Sequence, residues 1–221
     1  AGISTELAAF EDLGIVGGMS ANNPDNEIEI LKSRNILGKA IDSLQLNISY
    51  FIERTVVTSE IHKKSSPIFF IKQDASPIKK SVSFAIRTLD SVNYEFVDDD
   101  GIRISLNTYG ELFSNNHGTF VVEYNEMSKY QLGRTIVVKL TERNSVINQL
   151  KSNIKITPLK DQSSVLLLKI NDPVLKKGED ILNELVKQYN LDAISDKNQI
   201  SQNTKDFIDD RLRKIKSDLF L

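Results

Sequence analysis

The chain has 221 residues, 40% hydrophobic and 26% charged, an ordinary globular composition long enough to bury a sizeable core. Lysine plus arginine (28) nearly balances aspartate plus glutamate (30), so the basic excess of a nucleic-acid binder is missing. The absence of cysteine excludes disulfides, thiolate catalysis and cysteine-based zinc sites, and leaves the compartment open.

No run of about 18 apolar residues occurs, so no segment is expected to cross a membrane, and no signal-peptide pattern is read. AGISTELAAF starts without methionine and KSDLFL stops within a helical pattern. Both ends read as cut, and the expectation is a piece of a longer protein.

In chain order, Thr5 to Leu13 predicts a short helix closed by Gly14, followed by a flexible connector, GIVGGMSANN. Asn23 suits an N-cap and Pro24 the first helical position, with Asp25 and Glu27 at the positive end of the helix dipole. Ile30, Leu31, Leu37, Ile41 and Leu44 recur at helical spacing and predict a buried face, before LQLNI leaves the helix for a strand. ISYFIERTVV, PIFFIK, VSFAIRTL, NYEFV, IRISL, TFVVEY and RTIVVKL read as strands, being rich in β-branched and aromatic residues. DDDGIR reads as a hairpin turn with Asp100-Gly101 at its tip; it lacks the alternating ligands and distal glutamate of a calcium loop. Arg143 to Lys151 predicts a short helix, SNIKITPL a strand, and the nearly all-apolar SVLLLKI a central strand. Asp172-Pro173 signals another helix start, with Val174, Ile181, Leu185 and Tyr189 along one stripe. A last helix is expected from about Asp196, where Ile208, Leu212, Ile215 and Leu219 alternate steps of four and three as a heptad seam does.

Catalytic signatures are sparse. Gly38-Lys39-Ala40 lacks the upstream glycine and the hydroxyl of a phosphate-binding loop. His62 and His117 lack the paired spacing of zinc ligands and read as exposed loop residues. No Gly-x-Ser-x-Gly elbow is present, and the acidic residues are scattered. No catalytic, cofactor-binding or metal-ligating residue is therefore assigned. The basic pairs Lys63-Lys64 and Lys79-Lys80 read either as solvated strand ends or as contacts to anionic sugars or lipid headgroups. Tyr50, Phe51, Phe69 and Phe70 are the aromatic candidates beside them, although strand alternation turns half of these into a core. These residues alone describe an α+β module with an architectural role.

Several stretches resemble one family in order along the chain. EIEILKSRNILGKAIDSLQLNISY resembles the first helix and strand of the extracytoplasmic domain of polysaccharide co-polymerases, the Wzz-type chain-length determinants and related bacterial tyrosine autokinases. Glu27, Ile28, Glu29, Ile30, Leu31, Ser33 and Arg34 match that segment, and Lys32 replaces an arginine. KKSSPIFFIK resembles the family's Ser-Pro-Ile strand start, and TYGELF its Phe-Gly-Glu-x-Phe turn, with Tyr109 for the first aromatic. NDPVLKKGEDILNELVKQYN resembles its Asp-Pro segment leading into a helix that ends in a tyrosine, with Gly178 where alanine is usual nearby. NTKDFIDDRLRKIKSDL resembles the start of its long helix.

The resemblance implies an α+β fold, a mixed β-sheet packed with helices. Residues 1–194 would form the membrane-proximal domain and 195–221 the start of a long protruding coiled-coil-like helix. It implies an inner-membrane protein controlling chain length and export of capsular or exopolysaccharide, with this region periplasmic and flanked by transmembrane helices. Its partners would be further copies in a ring, a polysaccharide polymerase and an outer-membrane export protein. A cytoplasmic tyrosine autokinase domain, using ATP and magnesium, would follow in the full-length protein; this chain would itself be no enzyme and hold no cofactor. Glu27, Glu29 and Arg34 become a subunit-contact or structural motif, and Lys63 and Lys64 a possible glycan contact. The alternative is a non-catalytic module that grips a glycan or lipid-linked substrate directly. Alone, the chain is expected to be monomeric or weakly associated.

Overall fold

The computed structural model describes residues 24–53, 58–74, 76–130, 132–160 and 163–219. The expected helix at Thr5 to Leu13, the connector after it and the Asn23 cap lie outside the described residues. Within them the fold is α+β. The chain divides into two compact units. One takes in the described residues through Ile36, Ile156–Leu167 and those from Leu185 on; the other takes in Leu37–Lys155 and Leu168–Glu184.

The expected first helix is two. Helix α1 spans Pro24–Leu31 and α2 spans Arg34–Leu44. The break comes from Ser33, whose hydroxyl accepts from the Ile36 N–H at 3.2 Å and so caps the second helix. It changes the buried face: Leu31, Ile36, Leu37, Ala40 and Ile41 are buried, whereas Ile30 is 43% exposed, contrary to the single-helix reading. At the other end of α2, Leu46 N–H donates to Ile41 O at 3.0 Å and Gln45 N–H to Asp42 O at 3.4 Å. Gln45 takes φ +53°, which makes this a Schellman termination with glutamine where glycine is usual.

The second unit is built on two sheets. β1 (Ile48–Ile52), β2 (Ser59–Ile61), β4 (Val82–Thr88), β5 (Asn93–Val97), β6 (Arg103–Thr108) and β9 (Thr135–Leu140) form one, ordered β2-β1-β9-β4-β5-β6. β3 (Ile68–Lys72), β7 (Leu112–Asn115) and β8 (Gly118–Tyr124) form the other, ordered β3-β8-β7. Their ladders are antiparallel, not mixed, because the strands from β1 to β9 follow one another without an α-helix that could cross between parallel neighbours. Tyr50 and Phe84 both pair with Val138, so β9 is the central strand. Alternate residues bury one face: Ile48, Tyr50, Ile52, Ile86, Tyr94, Ile136, Val138 and Leu140 pack against Ile68, Phe70, Phe120 and Val122 of the smaller sheet. The Asp98–Ile102 hairpin forms as expected, Asp98 N–H donating to Ile102 O at 3.0 Å. The Asp98 carboxylate accepts from the Asp100 and Ile102 amides at 3.1 and 2.7 Å.

Helix α3 (Arg143–Asn153) follows β9, and β10 (Ile154–Pro158) and β11 (Leu166–Ile170) form a two-stranded sheet. SVLLLKI is therefore not a central strand. Leu167 and Lys169 alternate outward along β11, a pattern that a short apolar run conceals. Helix α4 runs unbroken over Leu175–Leu219, joining the two helices expected from the sequence, and starts two residues after Pro173. Among the described residues no helix is long and apolar enough to cross a membrane.

Candidate functional site

One motif residue of the first unit, Glu27, meets the long helix. Glu27 of α1 accepts a short hydrogen bond from the Tyr189 hydroxyl of α4, across 162 positions of sequence. That bond, with burial, pushes the Tyr189 phenol up to about 12. Asn35 donates to Asp192 at 3.3 Å one helical turn further on. Glu29 and Arg34 are exposed. Of the three motif residues, Glu27 bonds to Tyr189, and Glu29 and Arg34 lie on the exposed side. A pocket of about 290 Å³ opens beside the pair, lined by Pro24, Glu27, Leu31, Ser164, Leu166 and Tyr189.

In the second unit, Lys63 and Lys64 lie in a 3-10 turn, Lys63–Ser65. Asn125, buried, holds this turn: its amide donates to Ser66 O at 2.7 Å and Lys64 O at 3.1 Å. The Lys63 ammonium donates to the Gln45 side chain, and burial lowers its pKa, whereas Lys64 is exposed. The pair does not act as one basic patch, and Lys64 alone is presented.

His62 is part-buried, not the exposed loop histidine expected. Its Nδ1 accepts from Lys64 N–H at 3.3 Å, which leaves Nε2–H to donate to Asp180 at 3.0 Å. Asp180 also receives Lys176 at 3.0 Å. Burial works to raise the Asp180 carboxyl, but the hydrogen bonds from Lys176 and His62 outweigh it and its pKa is lowered. Beside it, Lys177 bridges Glu60 at 2.6 Å and Asp172 at 3.2 Å. These pairs bind the start of α4 to β2 and its following turn. Gly178 permits this close approach, since a Cβ there would lie 3.1 Å from Ile170 Cγ2. Gly38 has a similar structural reason and not a phosphate-binding one: the Arg143 guanidinium lies over it and forks onto Asp42 at 2.8 and 2.7 Å.

The sequence reading missed a third surface. An apolar groove of about 340 Å³ has Phe84, Phe96 and Phe113 in its lining, with Ile104 and the polar Ser105, Asn107 and Asn115. Phe96 and Phe113 meet edge to face at 5.1 Å, and Phe84 stacks on Phe70 at 5.3 Å. β6 lies at one end of its sheet and β7 at one end of the other. The period-two run Ile102, Ile104, Leu106 was a signal for this surface, but alternation alone does not tell a buried face from an exposed one.

No family model matches the chain. Solved structures of FlgL from Xanthomonas campestris, in two crystal forms, are similar at 13% and 12% identity over 64% and 76% of this chain, each with a TM-score of 0.26. The chain spans about half of their length, 41% and 54%. At that TM-score the likeness carries no argument about fold or role.

Proposed function

We propose that this chain is the periplasmic scaffold domain of an inner-membrane polysaccharide co-polymerase that controls the chain length and export of a capsular or exopolysaccharide. The observation that carries the reading is the Glu27–Tyr189 bond. It joins the Glu-Ile-Glu-Ile-Leu segment to the tyrosine that ends the Asp-Pro helix segment, two stretches through which the chain resembles that family. The role is architectural. Copies arranged in a ring bound a space beside the polymerase, and the export protein of the outer membrane receives the product. The chemistry of the full-length protein, with ATP and magnesium, belongs to a cytoplasmic tyrosine kinase domain beyond a second membrane span.

The test uses the full-length protein. It is expected to fractionate with inner membranes through one span on each side of this chain, and to incorporate phosphate on tyrosine when given ATP and magnesium. Spans without phosphorylation would leave a plain chain-length determinant. Recovery in the soluble fraction would overturn the reading. A direct glycan-gripping role would rest on Lys64, because Lys63 is engaged with Gln45; it predicts anionic-glycan binding that weakens with salt and in Lys64→Ala.

A further inference from the structure

We propose that the open edge of β6 receives an extended, apolar segment of a partner protein flanked by basic residues. The site lies within the second unit and stands independently of the scaffold reading.

Three observations carry it. The first is the edge itself. No described strand pairs with the outer side of β6. Tyr109 N–H donates to Val92 O at 2.9 Å at the end of the β5–β6 ladder. Antiparallel alternation then turns the Asn107 and Ser105 backbone groups toward β5 and those of Leu106, with the Thr108 N–H, outward, while Thr108 O accepts from Glu111 N–H at 3.4 Å. Outward amides and carbonyls of this kind pair with an added strand.

The second is the surface around the edge. Ile102, Ile104 and Leu106 are 64%, 68% and 56% exposed, and Leu112 at the start of β7 is 67% exposed. A register shift where Val97 pairs with Arg103 leaves Ile104 without an opposite residue and places it in the lining of the aromatic groove. An added strand would set one row of side chains into that groove and the other beside Leu106. Natural edge strands are usually blunted with lysine, proline or a cover. β6 has no lysine or proline; its protection is Arg103, 3.9 Å from Glu95, and the bulge at Ile104.

The third is charge. Asp99 and Asp100 are exposed at one end of β6, and Asp90 and Glu111 at the other. Asp90 accepts from the Val92 and Asn93 amides at 2.7 and 2.6 Å, which holds its carboxylate at that end. Of the guanidinium groups nearby, Arg87 pairs with Glu95 at 2.6 Å and donates to Gly101 O at 2.7 Å, and Arg103 lies 3.9 Å from Glu95. Lys79 and Lys80 precede β4 at the same end of the sheet as Asp99 and Asp100, since Ala85 pairs with Val97, but they lie two strands away from the outer side of β6. An exposed acidic residue at each end of β6 fits a partner with cations at both ends. It also disfavours a second copy of this chain. Antiparallel self-pairing centred on Ser105 sets Asp99 of each copy opposite Glu111 of the other, and parallel self-pairing sets each charge beside its own kind.

The test measures binding of labelled peptides to the whole chain by anisotropy. The probes are a blocked Lys-Lys-Val-Thr-Val-Thr-Val-Lys-Lys peptide and the same core flanked by glutamates. The lysine-flanked peptide is expected to bind at least about tenfold tighter, with the advantage shrinking toward about 0.5 M salt. Ile104→Lys with Leu106→Lys, both at exposed positions, is expected to lose that binding at least about tenfold while the circular dichroism and melting point hold. Asp99→Asn with Asp100→Asn leaves the apolar surface intact and is expected to weaken only the lysine-flanked peptide. Equal binding of the two peptides, binding that ignores the edge variants, or no binding by either would each overturn the proposal. Reversible dimerisation abolished by the Ile104/Leu106 variant would also overturn it, by assigning the edge to a second copy.

Discussion

Tyr50 offers the sharpest test of how the two sheets of the second unit are joined. Its hydroxyl accepts from Phe70 N–H at 3.0 Å and donates to Phe70 O at 3.4 Å, fully buried between β1 and β3. β3 ends its sheet, so these Phe70 groups have no ladder partner on that side. Tyr50→Phe keeps the ring and orphans both. A buried unsatisfied group costs about 1–3 kcal/mol, and the longer carbonyl contact adds little, so the expected loss is about 2 kcal/mol. For a chain of this size that lowers the melting point by about 4–8 °C. The effect depends on pH with a definite sign. Burial, opposed by the bond from Phe70 N–H, pushes the Tyr50 phenol up to about 12. Unfolded, it titrates near 10, so the native state holds its proton longer; its contribution is whole below pH ~10 and is lost as pH rises through 12. At about 1.4 kcal/mol per unit the loss reaches up to about 3 kcal/mol, and the phenylalanine variant escapes it. Urea denaturation of both proteins at pH 7 and at pH 11, followed by circular dichroism, checks the reasoning. The gap between them should narrow at the higher pH. A variant within about 0.5 kcal/mol of the parent at pH 7, or a gap that does not change with pH, would refute it.

Lys177 holds Glu60 and Asp172 apart from each other's charge, so Lys177→Met should cost about 2–4 kcal/mol, and adding Glu60→Gln should recover part of it, read from urea midpoints. Asp180 has a lowered pKa, so its contribution is present above pH ~4 and lost as pH falls through its native value; Asp180→Asn should flatten the acid limb of the stability curve. Gly38→Ala gains about 1 kcal/mol of helix propensity but displaces Arg143 from an exposed ion pair worth about as much or less, so alone it should be nearly neutral. In an Asp42→Ala background, where the guanidinium is free to move, the same change should stabilise by about 1 kcal/mol in thermal melts.

The strand set and the long helical tail were readable because β-branched and aromatic runs, and capping residues, act locally. The errors lie where a side chain acts at a distance or where two patterns look alike. Ser33 ends one helix and caps the next, yet the apolar spacing runs through it, which placed Ile30 on the wrong face. β2 and β7 are too short to carry a pattern of their own, and β7 begins within the Thr108–Phe113 motif read only as a turn. His62 looked solitary because its partner, Asp180, is 118 positions away. Of the motif residues, Glu27 was identifiable as important, but its tie to Tyr189 was not, since nothing in either segment encodes the other. The aromatic groove escaped because Phe84 and Phe96 read only as strand residues and Phe113 only as part of a turn, and strands from two different sheets bring their rings together.

The aromatic packing of the second unit has a spectroscopic consequence. The chain has six tyrosines and no tryptophan, so its ultraviolet emission is tyrosine emission alone. Tyr94, Tyr109 and Tyr124 form a chain with ring centres 5.0 and 5.5 Å apart, close enough to exchange excitation and to give the near-ultraviolet dichroism of fixed rings. Tyr109 lies in the turn between β6 and β7, at one end of the open edge. Ligand binding there, or loosening of that turn, should alter depolarisation and ring dichroism together, so the protein carries its own unlabelled reporter beside the edge that no described strand pairs.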